Sequence, residues 1–306
     1  MDMKNDRKES HFNTFLFKSQ EDEALYLGAY DAVYSGFHLK PEEISVSTRF
    51  GLTHVNAFGS KGSPNLVLLH GMGASSTMWA PNLGTLGRHF RVYAPDTMGD
   101  LGKSRCESRL RKGQDYAKWL KDTFDELKLE RAHVAGVSYG GWIAFHFALY
   151  APERTVKIVS IAPAATFQRI RLSFFIRSIP ILLIPIKKAK RYFQIHFIRW
   201  LSGVSDVTML EADPLWNQYF CGASLARFRP VAPPTVFDDR ELQNITTPTL
   251  LLVGEKEVIY DPKTVLERAG RTMPNITTEL IPHGTHTMSR GKKEMINARI
   301  VAYLID

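Results

Sequence analysis

A serine between glycines is the residue of this sequence best placed to act as a nucleophile. Ser138 stands in a Gly-Val-Ser-Tyr-Gly run at 136–140, which directly follows an apolar segment at 132–135 and directly precedes a helical one. A serine on a sharp turn from strand to helix holds its hydroxyl exposed on strained backbone. Gly136 and Gly140 make that turn possible, since a β-carbon at either position would clash. We therefore predict that Ser138 is a nucleophile rather than part of a purely structural turn.

A histidine is expected to serve as the base. A serine hydroxyl is a weak nucleophile at neutral pH and needs a base within hydrogen-bond reach, with a third group to orient that base. Of the ten histidines, His286 is the best candidate, because it follows the last predicted strand at 278–281 through a short loop. That position lies at the same edge of the predicted sheet as Ser138. His283, three residues earlier, is the competitor, and we interpret it as a loop-surface residue.

The orienting acid is expected after the preceding strand, at 249–253. Glu257 and Asp261 both follow that strand within eight residues. Glu257 is the leading candidate and Asp261 is the runner-up. Such an acid holds the histidine in one tautomer and stabilises its cation without taking the proton itself.

Backbone N–H groups are expected to stabilise the negative charge that develops on the substrate oxygen. One is that of Tyr139, the residue after the nucleophile. The second is assigned to Met72, in the His-Gly-Met-Gly loop that follows the apolar run at 66–69. His70 and Gly71 belong to the same loop, and His70 is expected to brace it rather than to act as the base.

Six short apolar runs alternate with helical segments along most of the chain. The runs fall at 66–69, 90–94, 132–135, 156–161, 249–253 and 278–281. The predicted helices fall at 115–127, 142–150 and 293–304. Continuous apolar runs are typical of strands that are buried on both faces of a parallel sheet. The alternation therefore predicts an α/β fold with a mostly parallel central sheet flanked by helices.

The alternation stops between the fourth and fifth of these strands. Residues 162–235 are rich in basic and aromatic side chains and contain several prolines. This composition predicts a helical cap inserted between strands. Residues 1–43 predict a helical lead-in, and 44–58 an antiparallel hairpin. We therefore divide the chain into the lead-in, a core formed by 44–161 and 236–306, and the cap.

Composition excludes several classes of protein. The chain has 306 residues, of which 44% are hydrophobic and 23% charged, so intrinsic disorder, a coiled coil and a fibre are ruled out. Its two cysteines, Cys106 and Cys221, show no metal-binding spacing, and we predict no metal site. The N-terminal residues carry no apolar stretch typical of a secretory signal, so a cytoplasmic protein is expected.

Positive charge is concentrated in one part of the chain. The net charge is +8, yet the segment 154–205 contains ten Lys and Arg and no Asp or Glu. We favour a cap whose apolar side lines the substrate pocket and whose basic side faces water. A membrane-surface helix is the less favoured alternative, so membrane association is not expected. Nucleic acid is the least favoured partner, because no recognised motif supports it.

Several motifs taken together resemble the α/β-hydrolase superfamily. They are His70-Gly71, the Asp-Thr-Met-Gly-Asp-Leu-Gly-Lys-Ser run at 96–104, the glycine–serine run at 136–140, and His286. The resemblance extends from about residue 44 to residue 306. Segments at 47–51, 76–79, 152–154 and 254–262 resemble the bacterial carboxylesterase NP group more closely.

This resemblance implies hydrolysis of carboxylic esters by a Ser–Glu–His triad without a cofactor. The acid in this family is usually Asp at the position of Glu257, which keeps Asp261 open as the alternative. Perhydrolases, lactonases and acyltransferases use the same triad, and some members of the fold only bind a ligand. A small-molecule ester is the expected substrate, and the chain is expected to be a monomer or a homodimer.

Overall fold

The computed structural model describes residues 16–227 and 231–305. Within them, nine strands form one twisted sheet in the order β1-β2-β4-β3-β6-β7-β8-β9, with β5 paired to β2. The strands are β1 (Glu42–Thr48), β2 (Gly51–Phe58), β3 (Asn65–Leu69), β4 (Arg91–Pro95), β5 (Arg105–Cys106), β6 (Ala132–Val137), β7 (Thr155–Ile161), β8 (Thr249–Gly254) and β9 (Ile276–Ile281). From β4 to β9 the neighbouring strands are parallel, whereas β1, β2 and β5 are antiparallel additions at one side. The predicted mostly parallel sheet is confirmed.

The central strands are apolar because helices cover both faces of the sheet. Every residue of β6 and of β8 is buried, which is the pattern that continuous apolar runs indicate. The predicted hairpin is also present, with Ile44 opposite Val55 in an antiparallel ladder.

Twelve α-helices lie in the described residues. They are α1 (Gln20–Gly36), α2 (Ala80–His89), α3 (Gly113–Glu126), α4 (Tyr139–Tyr150), α5 (Leu172–Leu183), α6 (Lys187–Ser202), α7 (Val207–Ala212), α8 (Pro214–Leu225), α9 (Asp239–Gln243), α10 (Pro262–Thr272), α11 (Met288–Gly291) and α12 (Lys293–Ile305). The helices predicted at 115–127, 142–150 and 293–304 correspond to α3, α4 and α12. None of the twelve combines the length and the apolar character needed to cross a bilayer.

Two apolar clusters pack on opposite faces of the sheet. One contains Trp119 of α3 and Trp142 of α4, together with side chains of α6 and α8. The other contains Tyr30 of α1, Leu83 of α2 and Ile300 of α12. The helix α4 follows β6 directly and is apolar almost all round, as expected for a helix buried beneath its neighbours.

The helices α5 to α8 lie between β7 and β8, within the predicted cap at 162–235. The helix α1 lies within the predicted lead-in, and residues 1–15 of that lead-in and 228–230 of the cap are outside the described residues. A short bridge between Phe17 and Ala226 joins the two segments. The division into lead-in, core and cap remains a prediction.

Candidate active site

The turn between β6 and α4 holds Ser138 in a strained conformation. Its backbone has φ 52° and ψ −111°, and its N–H donates to the Ile161 carbonyl at 2.9 Å. A β-carbon at Gly136 would come within 2.4 Å of the Gly140 backbone, and one at Gly140 within 2.2 Å of the Leu69 carbonyl oxygen. Neither position has room for a side chain, so both glycines are required for the turn. A non-glycine residue at such a positive φ is held there by its surroundings, a feature that clusters at functional sites.

The loop after β9 brings His286 to the serine. Its Nε2 lies 3.0 Å from Ser138 Oγ, and its Nδ1 lies 2.9 Å from Glu257 Oε2. With Glu257 ionised, Nδ1–H is the donor and Nε2 is free to accept the serine proton. Three side chains from the ends of β6, β8 and β9 therefore form one continuous chain of hydrogen bonds.

The carboxylate of Glu257 is buried, and both of its oxygens accept hydrogen bonds. Its Oε1 accepts the N–H groups of Val258 at 2.8 Å and Ile259 at 3.0 Å, while its Oε2 faces His286. Burial alone would raise the pKa of Glu257. Attraction to His286 and the three hydrogen bonds outweigh burial and bring the pKa below its usual value. The group is therefore an anion at neutral pH.

The two competing residues lie elsewhere. Asp261 caps α10 by accepting the Thr264 N–H and hydroxyl, each at 2.9 Å, and its side chain is 44% exposed. His283 is 74% exposed, and its N–H donates to a Glu255 carboxylate oxygen at 2.7 Å. The structure thus brings Glu257, and not Asp261, to His286.

The assigned oxyanion donors lie on either side of the serine. Among the described residues, the N–H of Met72 has no hydrogen-bond partner, whereas that of Gly73 donates to Asp100 at 2.9 Å. Tyr139 is the first residue of α4, where helical N–H groups have no partner within the helix. Both amides are therefore available to a developing oxyanion, which the positive end of the α4 dipole also favours.

His70 holds the loop that carries Met72. It is fully buried, its Nδ1–H donates to the Gly71 carbonyl at 2.9 Å, and its Nε2 accepts the Thr97 N–H at 2.8 Å. Both ring nitrogens are used in structural hydrogen bonds. This contact pattern suits a brace between two loops and leaves His70 no free nitrogen for proton transfer.

A cavity of about 140 Å³ opens above Ser138 and His286. Its walls are mostly apolar and combine the Met72 loop with the cap helices. The principal apolar wall residues are Met72, Leu101, Phe174, Phe197, Ile198, Leu201, Leu215, Trp216 and Tyr219. Such a pocket suits the apolar part of a small substrate.

One end of this cavity is polar, and the sequence analysis missed it. Gln218 of α8 accepts a hydrogen bond from the Thr77 hydroxyl and donates to Tyr26 at 3.0 Å and to Ser75 at 2.9 Å. These residues come from the lead-in, a core loop and the cap. The spacing of Tyr26, Tyr30 and Tyr34 at four-residue intervals was the available signal that α1 buries one face.

An ion pair joins the segment after His286 to the start of α8. Arg290 of α11, four residues after His286, pairs with Asp213 and lies over the Trp216 ring at 4.7 Å from its centre. Burial lowers the pKa of Arg290 to about 10, so it stays charged at neutral pH. Asp213 also caps α8 by accepting the Leu215 N–H at 2.9 Å.

Comparison with known proteins agrees with this geometry. Residues 66–296 match the alpha/beta hydrolase family. The chain is 36% identical to carboxylesterase YbfK of Bacillus subtilis over 95% of this chain and 97% of that protein. It is 34% identical to the uncharacterized carboxylesterase nap of the same species over 91% of each chain. The crystal structure of naproxen esterase (carboxylesterase NP) from Bacillus subtilis superposes with a TM-score of 0.84 at 33% identity, covering 91% of this chain and 96% of that one. The resemblance inferred from the motifs is confirmed.

Proposed function

The chain belongs to the alpha/beta hydrolase family, and we propose that it is a serine carboxylesterase that acts through an acyl-enzyme. The observation that carries this proposal is the chain of hydrogen bonds from Ser138 through His286 to Glu257. A serine, a histidine base and a buried carboxylate in this order can activate a hydroxyl for attack on a carbonyl. The similarity to carboxylesterases over nearly the whole chain supports esters as the substrates.

In the first half of the reaction, Ser138 Oγ attacks the carbonyl carbon of the ester while its proton passes to His286 Nε2. The electron pair of the C=O bond moves to oxygen, and the N–H groups of Met72 and Tyr139 receive that oxyanion. Glu257 stabilises the cationic imidazole. The intermediate then breaks its C–O bond, and the proton on Nε2 passes to the departing alcohol.

In the second half, water attacks the acyl group on Ser138 and gives its proton to His286 Nε2. The tetrahedral intermediate collapses, Ser138 recovers the proton, and the carboxylic acid leaves. These steps need only the side chains and backbone N–H groups named and water. The apolar walls of the cavity favour a small ester with an apolar portion.

Three further statements belong to this proposal. The position of α5 to α8 over the cavity supports a core at 44–161 and 236–306 with a cap at 162–235. The small number of cysteines supports a cytoplasmic location. A monomer or a homodimer remains the expected assembly.

Steady-state hydrolysis of p-nitrophenyl acetate and butyrate tests the function. We expect multiple turnovers by the full chain and none above background by Ser138→Ala with an unchanged circular dichroism spectrum. Lactone opening, perhydrolysis with peroxide and acyl transfer to added alcohols, measured in parallel, should all be slower than ester hydrolysis. A folded protein that binds these esters without turnover would contradict the proposal.

A further inference from the structure

The helix α5 is apolar on two sides. On its inner side Phe174 lines the cavity and Ile181 is buried. On its outer side six large apolar side chains are 47% to 74% exposed, namely Leu172, Phe175, Ile176, Ile179, Leu182 and Leu183. Their spacing of three or four residues places them in one stripe along the helix. We call this stripe the outer face of α5.

This exposure is concentrated in one place. The described residues include sixteen large hydrophobic side chains that are exposed, and eight of them lie in the segment 172–192. Single exposed apolar residues are ordinary, but a contiguous patch marks an interaction surface. A helix that is apolar on two sides is normally covered on both of them. The outer face therefore requires a partner.

Positive charge stands near the two ends of the outer face. Arg171 directly precedes α5 and Lys188 is the second residue of α6, and both are exposed. Arg177 is on the other side of the helix and lies over the Trp200 ring of α6, at 5.1 Å from its centre, whereas Arg171 forms a long ion pair with Asp261 at 3.9 Å. The whole segment 154–205 contains no acidic residue.

The charge decides between possible partners. A second copy of the chain would bring a second acid-free basic segment against the first, and like charges oppose such a contact. The first fifteen residues carry three acidic and three basic side chains, so they offer no net complementary charge. An anionic lipid surface offers an apolar interior and negative headgroups together, which are the two properties that the outer face and its rim complement.

We propose that the outer face of α5 docks onto an anionic lipid surface, with Arg171 and Lys188 at the level of the headgroups. The helix has 12 residues, or roughly 18 Å at the usual rise, so it lies in the interface rather than across the bilayer. The inner side of the same helix lines the cavity. Docking brings the cavity within about one helix diameter of the lipid, so esters that partition into membranes are the substrates best supplied to it, a consequence that rests on the proposed function.

Co-sedimentation of the full chain with vesicles tests the docking. The probes are vesicles of phosphatidylcholine alone and vesicles with about 30 mol% phosphatidylglycerol, in about 150 mM salt. The test variant is Ile176→Glu with Leu183→Glu. The matched control is Leu25→Glu with Ile305→Glu, which places the same charge change at exposed apolar positions outside the cap. Hydrolysis of p-nitrophenyl acetate without lipid, measured for each protein, reports the esterase function separately.

We expect the full chain and the control to bind the anionic vesicles and not the neutral ones. The outer-face variant should lose at least about tenfold in vesicle affinity, because two apolar side chains become anions that the lipid repels. Its hydrolysis of soluble ester should stay unchanged, because neither substituted residue lines the cavity. No binding by the full chain, or equal binding by the outer-face variant, would overturn the proposal. A dimer of the full chain that only the outer-face variant dissociates would assign the face to a second copy instead.

Discussion

The strand ends of the sheet and the helices above them present side chains to the same cavity in different ways. At the strand ends, Ser138, His286 and Glu257 are linked by hydrogen bonds of 3.0 and 2.9 Å, and the turn around the serine has no room for a side chain at Gly136 or Gly140. The cap contributes mainly apolar contacts, with Phe174 and Leu201 as examples. Its principal ionic attachment beside the site is the pair of Asp213 and Arg290.

This difference separates the reaction from the choice of substrate. In the proposed reaction, the atoms that exchange protons belong to residues that directly follow buried strands, where a small displacement would disturb catalysis. Apart from Gln218, the cap surface that faces the cavity is mostly apolar, so we expect it to select substrates mainly by size and shape. Substitutions at the strand ends should therefore abolish turnover, whereas substitutions in the cap should redistribute it among substrates.

The largest effect is expected at the nucleophile. Ser138→Ala removes the group that forms the acyl-enzyme, so kcat for p-nitrophenyl acetate should fall on the order of a million-fold. Stopped assays at high enzyme concentration measure the residual rate. A residual rate above about one per cent of the original would assign the nucleophile elsewhere.

A smaller loss is expected at the acid. Glu257→Gln removes the charge that stabilises the histidine cation, and kcat should fall about ten-thousand-fold. Asp261→Asn is the matched control and should stay within about twofold, because Asp261 caps a helix and does not contact His286. The opposite ranking of the two variants would move the acid to Asp261.

The cap should show a moderate and selective effect. Leu201→Ala shortens a side chain in the cavity wall and so enlarges the cavity. The value of kcat/KM for the butyrate ester, divided by that for the acetate ester, should change by about tenfold. Leu182→Ala, on the outer face of α5, should leave that ratio unchanged. Equal effects of the two substitutions would show that the cap does not select substrates through its inner wall.

The smallest effect is expected in the pH dependence of stability. The pKa of Glu257 is lower in the folded protein than its ordinary value of 4.5. Its charge therefore stabilises the fold above that value, and the contribution disappears as the pH falls through the lowered pKa. The free energy of unfolding, measured in urea, should fall with acid more steeply for the original protein than for Glu257→Gln. Parallel pH profiles would mean that the folded-state pKa of Glu257 is not lowered.

The strand ends that carry Ser138, Glu257 and His286 could be predicted because local sequence patterns mark them. Continuous apolar runs identified β6 and β8, and the glycines on either side of Ser138 identified the turn. His286 and Glu257 followed, since residues just after parallel strands share one edge of the sheet. The choice between Glu257 and Asp261 needed coordinates, because both follow the same strand and only the path of the loop separates them.

The cap could be predicted only in part, because its apolar residues lie on two sides of a helix. We expected its apolar side to line the pocket and its basic side to face water. Phe174 does line the cavity, but Ile176 and Leu183 are exposed on the other side of the same helix. A helix that is apolar on two faces gives no periodic signal of which face turns inward. The hydrogen bond between Tyr26 and Gln218 joins residues 192 positions apart, and no local sequence pattern predicts it.

Covalent labelling with a fluorophosphonate tests the activated serine most directly. Intact-mass spectrometry and peptide mapping should find a single adduct on Ser138 in the original protein and no adduct in Ser138→Ala. Labelling of Glu257→Gln should be slower by orders of magnitude, while Asp261→Asn should label at the original rate. An adduct at another residue, or ester turnover by a protein that takes no label, would contradict the assignment of Ser138, His286 and Glu257 as the reacting unit.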